Sequence, residues 1–486
     1  MSNRREKSLG INAVLNGIKT ILSIIFPLIT YPYAARVLQV ENIGKVDFAN
    51  SIVSYFILLA GLGISTYAIR EGARVRDKKE SLQAFADQMF TLNLFSTIIA
   101  YILLFVMVFF VPKFHSYSCL ILVQSLALFG NLIGVSWIYT IVEDYLYITI
   151  MSIITHIVAL VLMLFWVHTR EDYILYAATS VIANVGGNLF NFIYAKKYVR
   201  VHLTSKINFK RHIRPILIIF ASTITTTIYV NSDKTILGFL SDEFHVGLYS
   251  ISVNVYTVLK SCIVAVILVS LPRLSNYIAM KKNEEYEKTA TDIFKAFMLL
   301  LMPVVVGIFA TADSIIKLVG GDSYVDAVMS LQILSISLIF AVVATYYTNV
   351  VLLPNKEEII VLKGTILSAV VNILFNLLFI GKFQQNAAAF TTVLAEGVMC
   401  IYQFFYVEKY LKIKVSKNYI VSIILGCFGI VLTTSICNLI CNDFILNIIL
   451  KIFFSAIVYF LILFLLKNDV VIKFLTSIKS NYDKGV

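Results

Sequence analysis

Residues 12–35 read NAVLNGIKTILSIIFPLITYPYAA, and how this stretch is read decides the class of the fold. A helix rising 1.5 Å per residue needs about twenty largely apolar residues to cross a hydrocarbon layer of about 30 Å. Arg4, Arg5 and Lys7 precede the stretch, as basic residues precede the apolar core of a secretory signal. The run is too long for such a core, carries Lys19, and is followed by no clean small-residue cleavage site. It reads as a retained first helix. Comparable runs recur near 45–67, 86–111, 118–141, 148–167, 173–195, 215–240, 247–271, 296–319, 327–352, 359–380, 387–407, 419–440 and 444–466, which makes about fourteen spans. The seventh is the least regular, because Asp233 and Lys234 interrupt it.

The rest of the composition agrees. The 486 residues are 59% hydrophobic and 14% charged, with a mean hydropathy of +0.86, whereas soluble domains hold about a quarter charged residues. In lipid every backbone polar group must be satisfied internally, and the alternating pattern of barrel strands is absent. The sequence therefore predicts an all-α integral membrane protein. The six cysteines mostly sit inside apolar runs and form no CxxC pair, which reads as buried free thiols.

Lys and Arg in the loops orient the spans. They gather at the N-terminus, in the loops after spans two (Arg70 to Lys79), six (Lys196 to Arg214), eight (Arg273 to Lys295) and twelve (Lys409 to Lys417), and in the C-terminal tail. The opposite loops hold little beyond Arg36, Lys45, Lys113, Arg170 and Lys382. Both termini are expected in the cytoplasm, and the formal net charge of +12 is mostly topology. Spread over many short loops, it gives no support to a nucleic-acid role. Two cytoplasmic loops are acidic instead, at Glu143–Asp144 and Glu357–Glu358, and they fall six spans apart.

That spacing points to a repeat. Val40 to Gly44 opens span two and Asp242 to Gly247 opens span eight, each with an acidic residue and then a glycine. Two parallel six-helix bundles are expected, over 1–212 and 213–410, with 411–486 supplying a C-terminal hairpin and cytoplasmic tail. Copies with an even number of spans are related by an axis along the membrane normal, and rocking them gives alternating access to a central cleft.

Polar residues inside spans are costly, so their helical phase is informative. Span one carries Asn12, Asn16, Lys19 and Ser23 on one face; span two carries Asp47, Asn50 and Ser54. Span seven carries Thr223, Thr227, Asn231 and Lys234 with Asp233 alongside, and span eight carries Ser250, Asn254, Thr257 and Ser261 with Lys260 near its midpoint. Span eleven carries Ser368, Asn372 and Asn376. Neutral residues of this kind commonly hold helices together by hydrogen bonds; lysines near mid-span need an anion or water. Together they describe a polar, net-positive interior suited to a phosphate-bearing sugar. Glu396, the mid-span carboxylate of span twelve, could pair with a lysine or carry a proton.

The chain resembles the Wzx-type polysaccharide flippases, which move O-antigen and capsule repeat units, within the multidrug/oligosaccharidyl-lipid/polysaccharide exporter superfamily. The resemblance rests on the fourteen-span layout and on Ile29 to Leu38, Gly44, Gly61–Leu62–Gly63, Arg70–Glu71–Gly72–Ala73–Arg74, and Trp137 followed by Glu143–Asp144. Asn231–Ser232–Asp233–Lys234, Leu237–Gly238 and Val246–Gly247–Leu248–Tyr249 complete it. It implies a MATE-like fold in a bacterial cytoplasmic membrane. The implied cargo is an undecaprenyl-diphosphate-linked oligosaccharide carried from the cytoplasmic to the outer leaflet. It implies no catalytic residues, no metal and no bound cofactor, coupling to a proton or sodium gradient, and polymerase and chain-length machinery as partners beside the membrane lipids. On that reading Lys19, Lys234 and Lys260 contact the diphosphate and first sugar, Asn16, Asn50 and Asn254 hydrogen-bond it, and Glu396 and Asp233 are the coupling candidates. No GxxxxGK[ST] phosphate loop is present.

Rival readings remain open at this stage. A drug or cation antiporter of the same superfamily would favour aromatic walls and a carboxylate, and a lipid II flippase would share the layout. A membrane glycan polymerase would carry a large catalytic outer loop, whereas the outer loops here are short.

Overall fold

A computed structural model describes residues 9–473, and every regular element among them is a helix. The chain ends at 1–8 and 474–486, on which part of the orientation reasoning rests, lie outside the described residues, as do the side chains of Asn12, Asn16 and Lys19. Among the described residues eleven helices are long and apolar enough to cross a membrane. Two of these hold more chain than one crossing uses. The helix Leu9–Gly61 leaves helical dihedrals at Gln39 (φ 63°, ψ 176°), and Glu358–Val407 does so at Gln384 (φ 47°, ψ −126°). A run of fifty residues would stretch about 75 Å if straight, so each breaks into two crossings at one residue.

The loops expected there shrink to a single left-handed position. A positive φ is unfavourable for a residue with a β-carbon, and at Gln39 the side-chain amide compensates by donating to the Arg36 carbonyl at 2.6 Å. The helix runs through Pro27 and Pro32; its non-helical residue is Gln39 rather than either proline. Tyr173–Val185 and Gly187–Ala195 follow one another across Gly186 and together cover the sixth apolar run. All fourteen runs thus find a helix. The seventh, expected to be irregular, lies within one continuous helix, Phe209–Leu240.

The chain divides into two compact units, Met1–Ser250 and Ile251–Val486. In the first, Tyr67, Phe85, Met89, Trp137, Tyr139 and Ile216 belong to one buried cluster. Several quoted motifs end up there. Gly63, at φ 73°, turns the chain from Leu9–Gly61 into the helix Ile64–Gly72. Glu71 pairs with Arg70 and Arg74 at 3.3 and 3.0 Å, and Glu143 pairs with Arg76 at 2.5 Å. Asp144, buried, accepts from the Tyr198 hydroxyl, whose ionisation is pushed upward by burial and by that carboxylate.

A backbone crossing in the same unit has two-fold character. A β-carbon on Gly44 would overlap the Glu243 carbonyl, and one on Gly247 would overlap the Val40 carbonyl. Gly44 and Gly247 are 203 positions apart, as are Val40 and Glu243. These are the segments whose similarity suggested a duplication.

In the second unit the helices Lys417–Ile440 and Phe444–Leu465 form the C-terminal hairpin, capped by Ser416 and Asp443, which accept from the Tyr419 and Leu446 amides at 3.2 and 2.8 Å. Tyr419, Ile423, Cys427, Ile430, Tyr459 and Leu463 pack the hairpin against Leu299. Elsewhere large apolar side chains stay exposed, Phe109 at 78% and Leu439 at 87%, as lipid-facing positions require. The chain is a multi-pass membrane protein.

Candidate functional site

Two buried polar clusters stand out, one within each unit. In the first, Phe209–Leu240 presents Lys234 and Thr235 to the stretch of Leu9–Gly61 beyond Gln39. Asp47, Ser51 and Tyr55 recur there at intervals of four, so they share one helical face. Lys234 Nζ pairs with Asp47 Oδ2 at 3.1 Å. One turn on, Thr235 Oγ1 donates to Ser51 Oγ at 2.9 Å and lies 3.1 Å from the Tyr55 hydroxyl. Asp233, 6% exposed, accepts from the Tyr249 hydroxyl at 2.5 Å. Asn231 donates to the Thr227 carbonyl within its own helix.

In the second unit, Lys260 Nζ pairs with Glu396 Oε1 at 2.9 Å. The Tyr256 hydroxyl, one turn earlier, lies 3.5 Å from the same oxygen, and the ammonium sits 5.6 Å from the Tyr256 ring centroid. Glu396 is 4% exposed. A carboxylate that deep is tolerable only when paired, and the lysine supplies the pairing. On the preceding crossing Ser368, Asn372 and Asn376 are all fully buried. Asn376 donates to Asn372 Oδ1 at 3.1 Å and accepts from Thr391 at 2.5 Å, while Ser368 donates to the Ala395 carbonyl at 2.9 Å. This ladder ties the two crossings of Glu358–Val407 together across the Gln384 break.

The residues expected from sequence separate accordingly. Lys234 and Asp233 belong to the first cluster, and Lys260 and Glu396 form the second. Asn254 is half-buried, on the helix that carries Lys260. Asn50 is exposed, because the face of its helix turned toward Lys234 is the one carrying Asp47, Ser51 and Tyr55. The side chains of Asn16 and Lys19 lie outside the described residues. Sequence reasoning expected a net-positive interior, yet Lys234 and Lys260 each arrive with a carboxylate partner. It named Tyr249 within a motif without giving it a site role, and it passed over Thr235, Tyr256 and Lys451, the last of which follows Asn447 and precedes Ser455 at four-residue spacing. Among the described residues no group of three or more His, Cys, Asp or Glu could hold a metal ion.

The chain is similar to known proteins in sequence and in fold. The sequence profile of the family described as "Polysaccharide biosynthesis protein" matches residues 9–278. A protein of Escherichia coli (strain K12) named "Putative O-antigen transporter" is 23% identical over 404 residues, covering 81% of this chain and 95% of its own. Among solved structures, a lipid II flippase MurJ in an inward closed conformation superposes with a TM-score of 0.74 at 17% identity, over 94% of this chain and 100% of the other. An inward-facing multidrug resistance MATE family transporter of the MOP superfamily gives 0.61 at 16% identity, over 82% and 97%. Identities this low bear on the fold alone, and the fold is one this chain shares with both structures.

Proposed function

Because the chain belongs to the polysaccharide biosynthesis protein family, we propose that it flips undecaprenyl-diphosphate-linked oligosaccharide repeat units from the cytoplasmic to the outer leaflet of a bacterial cytoplasmic membrane. The observation that carries this reading is the Lys260–Glu396 pair, a cation held at mid-span by a buried carboxylate. A phosphate group can take the place of that carboxylate on the ammonium, since Lys binds phosphate as a point charge. Lys234, held by Asp47 at 3.1 Å, is a second such cation.

The exchange suggests how binding and release are controlled. In the empty carrier each lysine is neutralised by its own acid. Arrival of the diphosphate displaces Glu396 from Lys260, and a proton taken up by the freed carboxylate removes the like-charge repulsion beside the cargo. Loss of that proton after the carrier reopens restores the pair and expels the phosphate. Glu396 is then the residue whose protonation sets the affinity for cargo, with Asp233 and Tyr249 the corresponding acid and donor in the first unit. Alternating access between two parallel bundles provides the route, and both chain ends lie in the cytoplasm.

The test is deletion of the gene in its host, followed by assay of where lipid-linked repeat units reside. Accumulation of single units on the cytoplasmic face, reversed by the wild-type gene, is expected. Accumulation of exported but unpolymerised units would assign the chain to polymerisation instead.

A further inference from the structure

The helix Phe444–Leu465 has one buried face, made of Asn447, Lys451, Ser455, Tyr459 and Leu463. At either end of it the polar groups are satisfied. Asn447 donates to the carbonyls of Cys437 and Cys441 at 2.9 and 2.8 Å, and the Tyr459 hydroxyl donates to the Leu299 carbonyl at 2.9 Å. The middle differs. Lys451 is 5% exposed, and its ammonium, with three N–H groups to place, donates to Ser314 Oγ at 3.2 Å. Asp313, the acid next to that serine, pairs with Lys317 at 3.0 Å. One turn along from Lys451, the Ser455 hydroxyl is 9% exposed and has no hydrogen-bond partner.

Lys451, Ser455 and Ser314 line a cavity of about 430 Å³ whose other walls are almost wholly apolar, among them Leu259, Ile308 and Ile430. It lies within the second unit, between the hairpin and the helix Asn283–Gly320. A lone ammonium at bilayer depth is costly unless an anion meets it, and an unsatisfied buried hydroxyl beside it adds to the cost. The cavity therefore joins one ammonium without an ion pair and a spare hydroxyl to a volume fit for hydrocarbon.

We propose that this cavity seats a phospholipid with a monoanionic phosphodiester, its phosphate oxygens accepting from Lys451 Nζ and Ser455 Oγ and its acyl chain lying along Leu259, Ile308 and Ile430. Charge complementarity selects this occupant. One cation balances one phosphodiester charge, whereas a lipid diphosphate would bring further negative charge with no second cation in the cavity. Lys260, Tyr256 and Glu396 are not among the residues lining this cavity, and the lipid acts as a resident wedge between the hairpin and the rest of the unit.

The experiment uses the full chain, purified into nanodiscs of mixed phosphatidylglycerol and phosphatidylcholine, then transferred to detergent, with retained lipid measured by native mass spectrometry. Wild type is expected to retain phosphatidylglycerol in preference to phosphatidylcholine. Lys451→Met is expected to lower that retention about tenfold or more, the loss of one charge-assisted hydrogen bond. Ser455→Ala, which removes only a hydroxyl and leaves the fold secure, should lower it about threefold. Equal retention by wild type and Ser455→Ala, or by wild type and a folded Lys451→Met, would overturn the assignment. Preferential retention of added polyprenyl diphosphate would overturn it equally.

Discussion

Replacing Lys260 by methionine separates what the lysine does for the fold from what it does for the cargo. The side chain keeps its length and loses its charge, so Glu396, 4% exposed, is left with the Tyr256 hydroxyl at 3.5 Å. Breaking a buried pair by removing one partner costs about 3–5 kcal/mol. Lys260 retains 29% side-chain exposure, which puts the expected loss near the lower limit, about 3 kcal/mol, or roughly a hundredfold in the folding equilibrium. Glu396→Gln should cost less, because the remaining ammonium can turn toward water. The double substitution Lys260→Met with Glu396→Gln removes both charges and should recover most of the loss, since swapping a buried pair for neutral groups is often close to neutral. Thermal unfolding in detergent and abundance in the membrane report the first effect; surface polysaccharide in a strain lacking the native gene reports the second. The expected result is a double variant that is well folded, abundant and unable to support surface polysaccharide. Normal polysaccharide from that variant would refute the role of Lys260 in binding cargo and leave the pair purely structural.

Asp47→Asn removes the acid from Lys234 and should weaken folding by about 2 kcal/mol, the worth of a charge-assisted hydrogen bond. It should also raise the amount of lipid-linked oligosaccharide that copurifies, because the freed ammonium holds the phosphate longer. Gly247→Val drives a side chain into the Val40 carbonyl; backbone cannot rotate aside, so a loss of about 3 kcal/mol is expected from overpacking, with Gly44→Val matching it in thermal unfolding. Tyr198→Phe takes a hydrogen bond from buried Asp144 and should cost about 1.5–3 kcal/mol, measured by the same unfolding assay.

The crossings were legible because a membrane span is a long, one-signal object: about twenty apolar residues with no alternative reading. Their ends were less so. Arg36 and Lys45 flank what looked like a loop, yet Gln39 alone turns the chain. A glutamine in the left-handed region leaves no mark on hydropathy; its compensation is a hydrogen bond to Arg36 that only the folded backbone defines. The duplication behaved in the opposite way. Its two segments, weakly similar in residues, meet in the structure as a reciprocal crossing, where a glycine permits the close backbone approach.

At the site, helical phase carried the reading only part of the way. Ser368, Asn372 and Asn376 lie on one face in sequence and are fully buried together, since four-residue spacing is a property of the helix itself. In span two the same reasoning favoured Asn50 and Ser54, but Asn50 is exposed and the Ser54 hydroxyl returns to its own helix at the Asn50 carbonyl. Asp47 begins both stripes, and nothing within one helix says which of them a neighbour will meet. Pairing is a property of two helices, which is why sequence offers Glu396 as a partner for some lysine without saying which, and does not join Asp47 to Lys234. The consequence for mechanism is direct. A cavity lined by bare lysines would bind phosphate and keep it. Under the proposed function, lysines that must leave a carboxylate to bind, and return to it to release, make the affinity for cargo a difference between two similar interactions, which a single proton on Glu396 can reverse.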